Sequence, residues 1–123
     1  EMKFMLAAQN LRYGDPSAIT PLDALRAATT VAAGNLGLEG VGVLRGGSRA
    51  DLIVVRAWSP KAVPVTDVYY TLVYSLSGCD VETVIVDGRP LMVNGELLTI
   101  DEEAVVREAV KVSEELRGEL SRR

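Results

Sequence analysis

GVLRGGSRADLIVV, from Gly42 to Val55, decides the fold. Glycines 42, 46 and 47 break the chain into turns, and Arg49-Ala50-Asp51 then leads into an apolar, β-branched run. The run Asp51 to Arg56 predicts a strand buried on both faces, because apolar residues occur at consecutive positions without alternation. The glycines are turn residues. They lack the Lys-Ser/Thr of a phosphate-binding loop and precede a strand, whereas a phosphate cradle opens a helix.

Outward from this stretch, Val81 to Val86 alternates as a strand and ends on Asp87-Gly88, a pair favoured in two-residue hairpins. Leu91 to Val93 is the returning strand. Asn94-Gly95 offers a second tight turn before Glu96 to Leu98. Between the two strand regions, Asp67 to Leu76 favours a short helix capped by Asp67, although Val, Tyr and Thr pull towards strand. Upstream, residues 1–12 have helical spacing and stop at Gly14-Asp15-Pro16. Thr20-Pro21-Leu22-Asp23 opens a second helix: threonine caps, proline suits the first position, and aspartate favours the N-terminus. Its face is rich in alanine (24, 27, 28, 32 and 33), which allows close packing, and Gly34 and Gly37 end it. Asp101 caps a last helix whose stripe is Val105, Ala109, Val112 and Leu116. Separate helical and strand blocks give an α+β class. The segments divide as 1–38 helical, 39–100 β-domain and 101–123 closing helix, within one compact unit.

A chain of 123 residues has room for one domain. Net charge is −4, which argues against a nucleic-acid partner. The basic cluster Arg117, Arg122 and Arg123 complements the C-terminal dipole of the last helix. No apolar run is long enough to span a membrane. A single cysteine, Cys79, excludes an intrachain disulfide and fits a reducing, cytoplasmic setting. Amides are scarce (Gln9, Asn10, Asn35 and Asn94), as in thermophile proteins. The chain opens on Glu1, so a natural start upstream is expected.

Histidine is absent. Serines 17, 48, 59, 75, 77, 113 and 121 and Cys79 therefore lack an imidazole base. Asp80 beside Cys79 places a negative charge next to the sulfur, which is expected to disfavour a reactive thiolate. The carboxylates Asp51, Asp67, Asp80, Glu82 and Asp87 match no calcium-loop spacing, and Asp67, Asp87 and Asp101 sit where caps and turns favour aspartate. Tyr69, Tyr70 and Tyr74 read as a packing group. No catalytic, cofactor-binding or metal-binding residue is expected in this chain.

The motifs resemble the C-terminal part of the amidohydrolase superfamily, in the branch of nucleoside and nucleobase deaminases and triazine chlorohydrolases. Glu1 to Ala8 looks like the helix after the eighth barrel strand. Thr20 to Thr29, then Ala33-Gly-Asn-Leu-Gly-Leu, is similar to the next helix and its exit. Val41 to Val55 resembles the strand entering the small β-domain. Leu72-Val-Tyr and Asp80 to Leu91 resemble the deaminase branch in particular. The family's His-x-His pair, later histidines and eighth-strand aspartate have no counterpart here, and Asp15 follows the first helix and does not replace that aspartate. Ser48-Arg49 stands where a lysine is common.

The resemblance implies a parent with a TIM barrel, which needs about 250 residues, and a divalent metal such as zinc or iron held there. It implies a structural role for this chain: two helices flanking the barrel, a small sheet in a composite sandwich, and a closing helix. The parent would hydrolyse a non-peptide C–N bond of a purine- or pyrimidine-like substrate, with this chain inactive alone. Its expected partner is the barrel portion. Self-association as a dimer is also expected, because Met2, Met5, Leu6, Leu22 and Leu25 would lack their cover. The alternative is a free-standing α+β assembly or binding module. A complete small enzyme fits least, for want of histidine.

Overall fold

The computed structural model describes residues 1–120; Arg122 and Arg123 of the basic cluster, and Ser121, lie outside the described residues. Helix α1 runs Met2–Tyr13 and stops at Gly14, whose left-handed conformation (φ 65°) lets its N–H reach back to the helix carbonyls. Helix α2 (Pro21–Ala28) begins with a complete capping box. The Thr20 hydroxyl accepts from the Asp23 N–H, and the Asp23 carboxylate accepts from the Thr20 N–H.

The predicted second helix does not run through to Ala33. It breaks at Thr29 (φ −126°, ψ −93°), and α3 continues from Thr30 to Asn35, passing Gly34. The Thr29 hydroxyl bonds back to the Leu25 carbonyl at 2.7 Å. Such back-bonding and the β-branched run Thr29-Thr30-Val31 both weaken a helix at this point. The break also turns the Thr29 carbonyl towards Gly42.

Strand β1 (Leu52–Val55) is followed by α4 (Val68–Tyr70), which Asp67 caps by accepting from the Tyr70 N–H at 2.8 Å. The chain continues without interruption into a wider π-turn, Thr71–Ser75. Then come β2 (Val81–Val86), β3 (Arg89–Val93) and β4 (Glu96–Leu97), and finally α5 (Glu102–Leu120). The four strands form one antiparallel sheet in the order β1-β2-β3-β4. Both expected two-residue turns are present, with positive φ at Asp87 and Gly88 and again at Asn94 and Gly95. Positive φ at both central positions is the type I′ turn, whose twist matches that of the flanking strands.

The core lies among the helices. Leu6, Ala24 and Val73 form it, with Met2, Met5 and Ile19 against it. This corrects the expectation that Leu6, Met2 and Met5 would be left uncovered: α1 packs on α2 and on the π-turn. The small Ala24 side chain lets the two helices approach. The strand expected to be buried on both faces is not: Ile53 and Val54 of β1 are 56% and 47% exposed. An apolar run records that a strand needs cover on both sides, and this chain supplies neither cover in full. Helix α5 likewise contributes no buried residue, and Val105, Val112 and Leu116 of its stripe are all exposed.

Gly42 joins the helical layer to the loop before β1. It has φ +78°, and a Cβ there would lie 2.8 Å from the Thr29 carbonyl oxygen. Gly42→Ala should therefore destabilise by about 2–4 kcal/mol, from left-handed strain plus a backbone clash. Gly46→Ala, with open space and no positive φ, should be near neutral. Urea unfolding of the two variants checks this; equal midpoints would show that the Thr29 approach does not constrain the fold.

Candidate functional site

Two features meet at the Gly42–Val55 segment: a set of bonds that fixes the β2–β3 hairpin tip, and an apolar cleft beside it. Asp51 accepts the Asp87 N–H at 2.6 Å. The Gly88 N–H donates to the Ala50 carbonyl at 3.0 Å, and Arg49 Nη2 lies 3.1 Å from Asp87 Oδ1. Arg49, Ala50 and Asp51 thus each hold the Asp87-Gly88 turn. The Asp51 bond is to a charged acceptor and contributes about 1.5–3 kcal/mol. The Arg49–Asp87 pair is exposed on both sides and contributes less than about 1 kcal/mol. A change at position 49 should accordingly be mild, whereas Asp51 has a role the sequence reading did not assign.

The cleft has a volume of about 580 Å³. Leu25 and Leu72 line its helical side, Leu52, Ile53 and Val84 its sheet side, and Leu44 its rim. Asp51 is its one carboxylate, already committed to the hairpin tip. Such a surface favours an apolar occupant and offers no acid–base pair for catalysis.

The carboxylates considered as cation ligands are not brought together. Asp67 caps α4, Glu82 binds Arg56 Nε at 2.6 Å, and Asp87 faces Arg49. Asp80 takes Lys61 Nζ at 2.7 Å and the Ser77 N–H at 2.7 Å. Among the described residues no group of three or more His, Cys, Asp or Glu side chains clusters as a metal site. The donor set does not fit the family's metal: histidine is absent, and each of these carboxylates is bonded within the fold. Cys79 is exposed on the turn before β2. Of the three tyrosines read as a packing group, Tyr70 and Tyr74 stack with ring centres 5.5 Å apart, and all three are exposed. Among the described residues no helix is long and apolar enough to cross a membrane.

Three carboxyls sit below their ordinary value of 3.8. The Lys61 ammonium and then the Ser77 N–H lower Asp80; the Thr20 hydroxyl and N–H lower Asp23; the Ser17 hydroxyl and N–H lower Asp15. Each is lower folded than unfolded, so its contribution is complete above 3.8 and is lost as pH falls through the folded value. Melting temperature should drop between neutral pH and acid below that point, and Asp80→Asn should flatten the drop. Asp51→Ala should cost about 1.5–3 kcal/mol at neutral pH, and Arg49→Ala less than about 1. Calorimetry across pH on the three variants tests the set; equal losses for Asp51→Ala and Arg49→Ala would show that the aspartate is not the principal bond.

The family model described as Amidohydrolase family matches residues 1–91. The 5'-deoxyadenosine deaminase of Methanosarcina acetivorans is 43% identical over 94% of this chain, which spans 27% of that protein. A 5-methylthioadenosine/S-adenosylhomocysteine deaminase of Pelotomaculum thermopropionicum is 40% identical over 90% of the chain and 26% of its own length. In three dimensions, an adenosine deaminase from Xanthomonas campestris with bound zinc superposes with a TM-score of 0.89 at 28% identity, over 96% of this chain and 27% of that one. The chain thus spans about a quarter of the length of the relatives it matches. With the family model matched over residues 1–91 and the chain superposing on a deaminase along 96% of its length, the chain belongs to the amidohydrolase family, in its deaminase-like branch.

Proposed function

We propose that this chain is the C-terminal structural portion of a metal-dependent deaminase that hydrolyses the C–N bond of an aminopurine nucleoside. The observation that carries the reading is its likeness, along nearly its whole length, to about a quarter of adenosine-type deaminases. The chain has no histidine, and among the described residues no carboxylates cluster as a metal site, so the metal and the reacting groups are assigned to the barrel portion. Its own part is mechanical. Residues 1–38 flank the barrel, residues 39–100 form the small β-domain and residues 101–123 close it. The uncovered apolar surface, comprising the faces of β1, Leu44 and the α5 stripe, is what the barrel portion would cover. The cytoplasm is the compartment that fits the single free cysteine.

Alone, the chain should release no ammonia from adenosine or 5'-deoxyadenosine with zinc, iron or manganese. Co-expressed with the barrel portion of its reading frame, it should restore metal-dependent turnover. Metal-dependent ammonia release by the chain alone would overturn the structural reading, as would a barrel portion fully active without it.

The same uncovered surface leads to self-association of the isolated chain. Contiguous apolar patches beyond a few hundred Å² are rare on monomers, and at about 25 cal/mol per Å² their burial offsets a large part of the association cost. Light scattering should give a dimer at concentrations on the order of tens of micromolar. A monomer there, with Ile53 and Val54 still open to solvent, would exclude it.

A further inference from the structure

We propose that Asn94 is a site of spontaneous deamidation whose rate is gated by one backbone hydrogen bond. Asn94 is exposed and is the one asparagine followed by glycine; Asn10 and Asn35 precede leucine. Glycine places no Cβ beside the nitrogen that must attack. In the reaction the Gly95 nitrogen gives its proton to hydroxide and bonds to the Asn94 side-chain carbonyl carbon. The carbon–nitrogen bond to the side-chain amide breaks and ammonia leaves with a proton from water. Water then opens the cyclic imide at either carbonyl, giving aspartate or isoaspartate, so that the net change is water in and ammonia out.

The fold holds the attacking nitrogen. The Gly95 N–H donates to the Glu82 carbonyl at 2.9 Å, which ties the turn to β2 across the end of β3. A nitrogen held in this sheet bond cannot rotate towards its neighbour's side chain, so ring closure waits for local opening. The other hairpin provides an internal contrast. Asp87-Gly88 has the same sequence pattern, yet Asp51 takes the Asp87 N–H, Ala50 takes the Gly88 N–H, and Arg49 holds the Asp87 carboxylate. That turn is held at three points, and no such set of bonds from β1 reaches Asn94-Gly95.

Conversion has a structural consequence. Isoaspartate adds a methylene to the main chain at a turn where Met92 pairs with Leu97 and Val93 with Glu96. The register of the β3–β4 pair is lost. Each converted molecule is a permanent record that the turn has opened.

The test incubates the purified chain at mildly alkaline pH, folded and in urea, and follows each asparagine peptide by mass spectrometry. Replacement of the side-chain NH2 by OH should appear at Asn94 ahead of Asn10 and Asn35 in urea. In the folded chain it should be slower by at least roughly tenfold, the least that a closed sheet bond imposes through local opening. Amide exchange at Gly95 should follow the same gate. Equal rates folded and unfolded would overturn the gating, and no conversion at Asn94 in either state would overturn the site. In Asn94→Gly, which keeps a residue suited to positive φ, the ammonia signal should vanish; its persistence would place the reaction elsewhere.

Discussion

The Asp51 carboxylate, accepting the Asp87 N–H, is the bond on which the small domain depends. It joins the segment before β1 to the tip of the β2–β3 hairpin, 36 residues away in sequence. With Ala50 taking the Gly88 N–H beside it, it fixes where β1 begins relative to β2. The register of the pair, Leu52 against Ile85 and Ile53 against Val84, follows from that anchor. A slip of one residue would send the apolar side chains of β1 to the opposite face. At the other end of the strand, Arg56 donates its N–H to Asp80 and its guanidinium to Glu82, so β1 is held at both ends.

The molecule is less finished than its sequence pattern implies. Its helical layer has a small core built on Leu6, Ala24 and Val73. Its sheet has the composition of a buried sheet, yet Ile53 and Val54 remain open and α5 presents its stripe to solvent. The caps of α2, α4 and α5 and both hairpin turns are satisfied locally. What the chain lacks is cover, the one requirement that cannot be met by short-range choices. This division agrees with a piece that is mechanically complete in its details and dependent on a larger body for its burial.

Local signals carried most of the fold. Thr20 to Asp23, Asp67 and Asp101 are caps, because aspartate and threonine satisfy the free N–H groups within three residues of themselves. Asp87-Gly88 and Asn94-Gly95 are hairpin turns, because those residues tolerate positive φ. Less legible were features whose cause lies far along the chain. The break at Thr29 brings its carbonyl beside Gly42, a neighbour 13 residues on that no local signal announces. Asp51 reads as an ordinary turn acid until its partner, an N–H across the sheet, is in place. The exposure of β1 was not legible at all, since an apolar strand looks the same whether or not its cover is present. Of the candidate site, the lack of an imidazole was plain from the sequence, while the hairpin latch and the cleft emerged only with the sheet.

The strand order carries a kinetic meaning. Strands β2, β3 and β4 are neighbours in sequence and in the sheet, joined by two-residue turns, so they can zip together on a timescale of about 1–10 μs. Strand β1 joins them only after the segment 56–80, with its own helical turn, has closed as a loop. Until then the β2 edge stands open, a six-residue β-branched template exposed to any other extended chain. The slow step in building this sheet is thus also the interval in which a nascent molecule is most vulnerable to wrong pairing. The residues that shorten it are those flanking β1, Asp51 and Arg56.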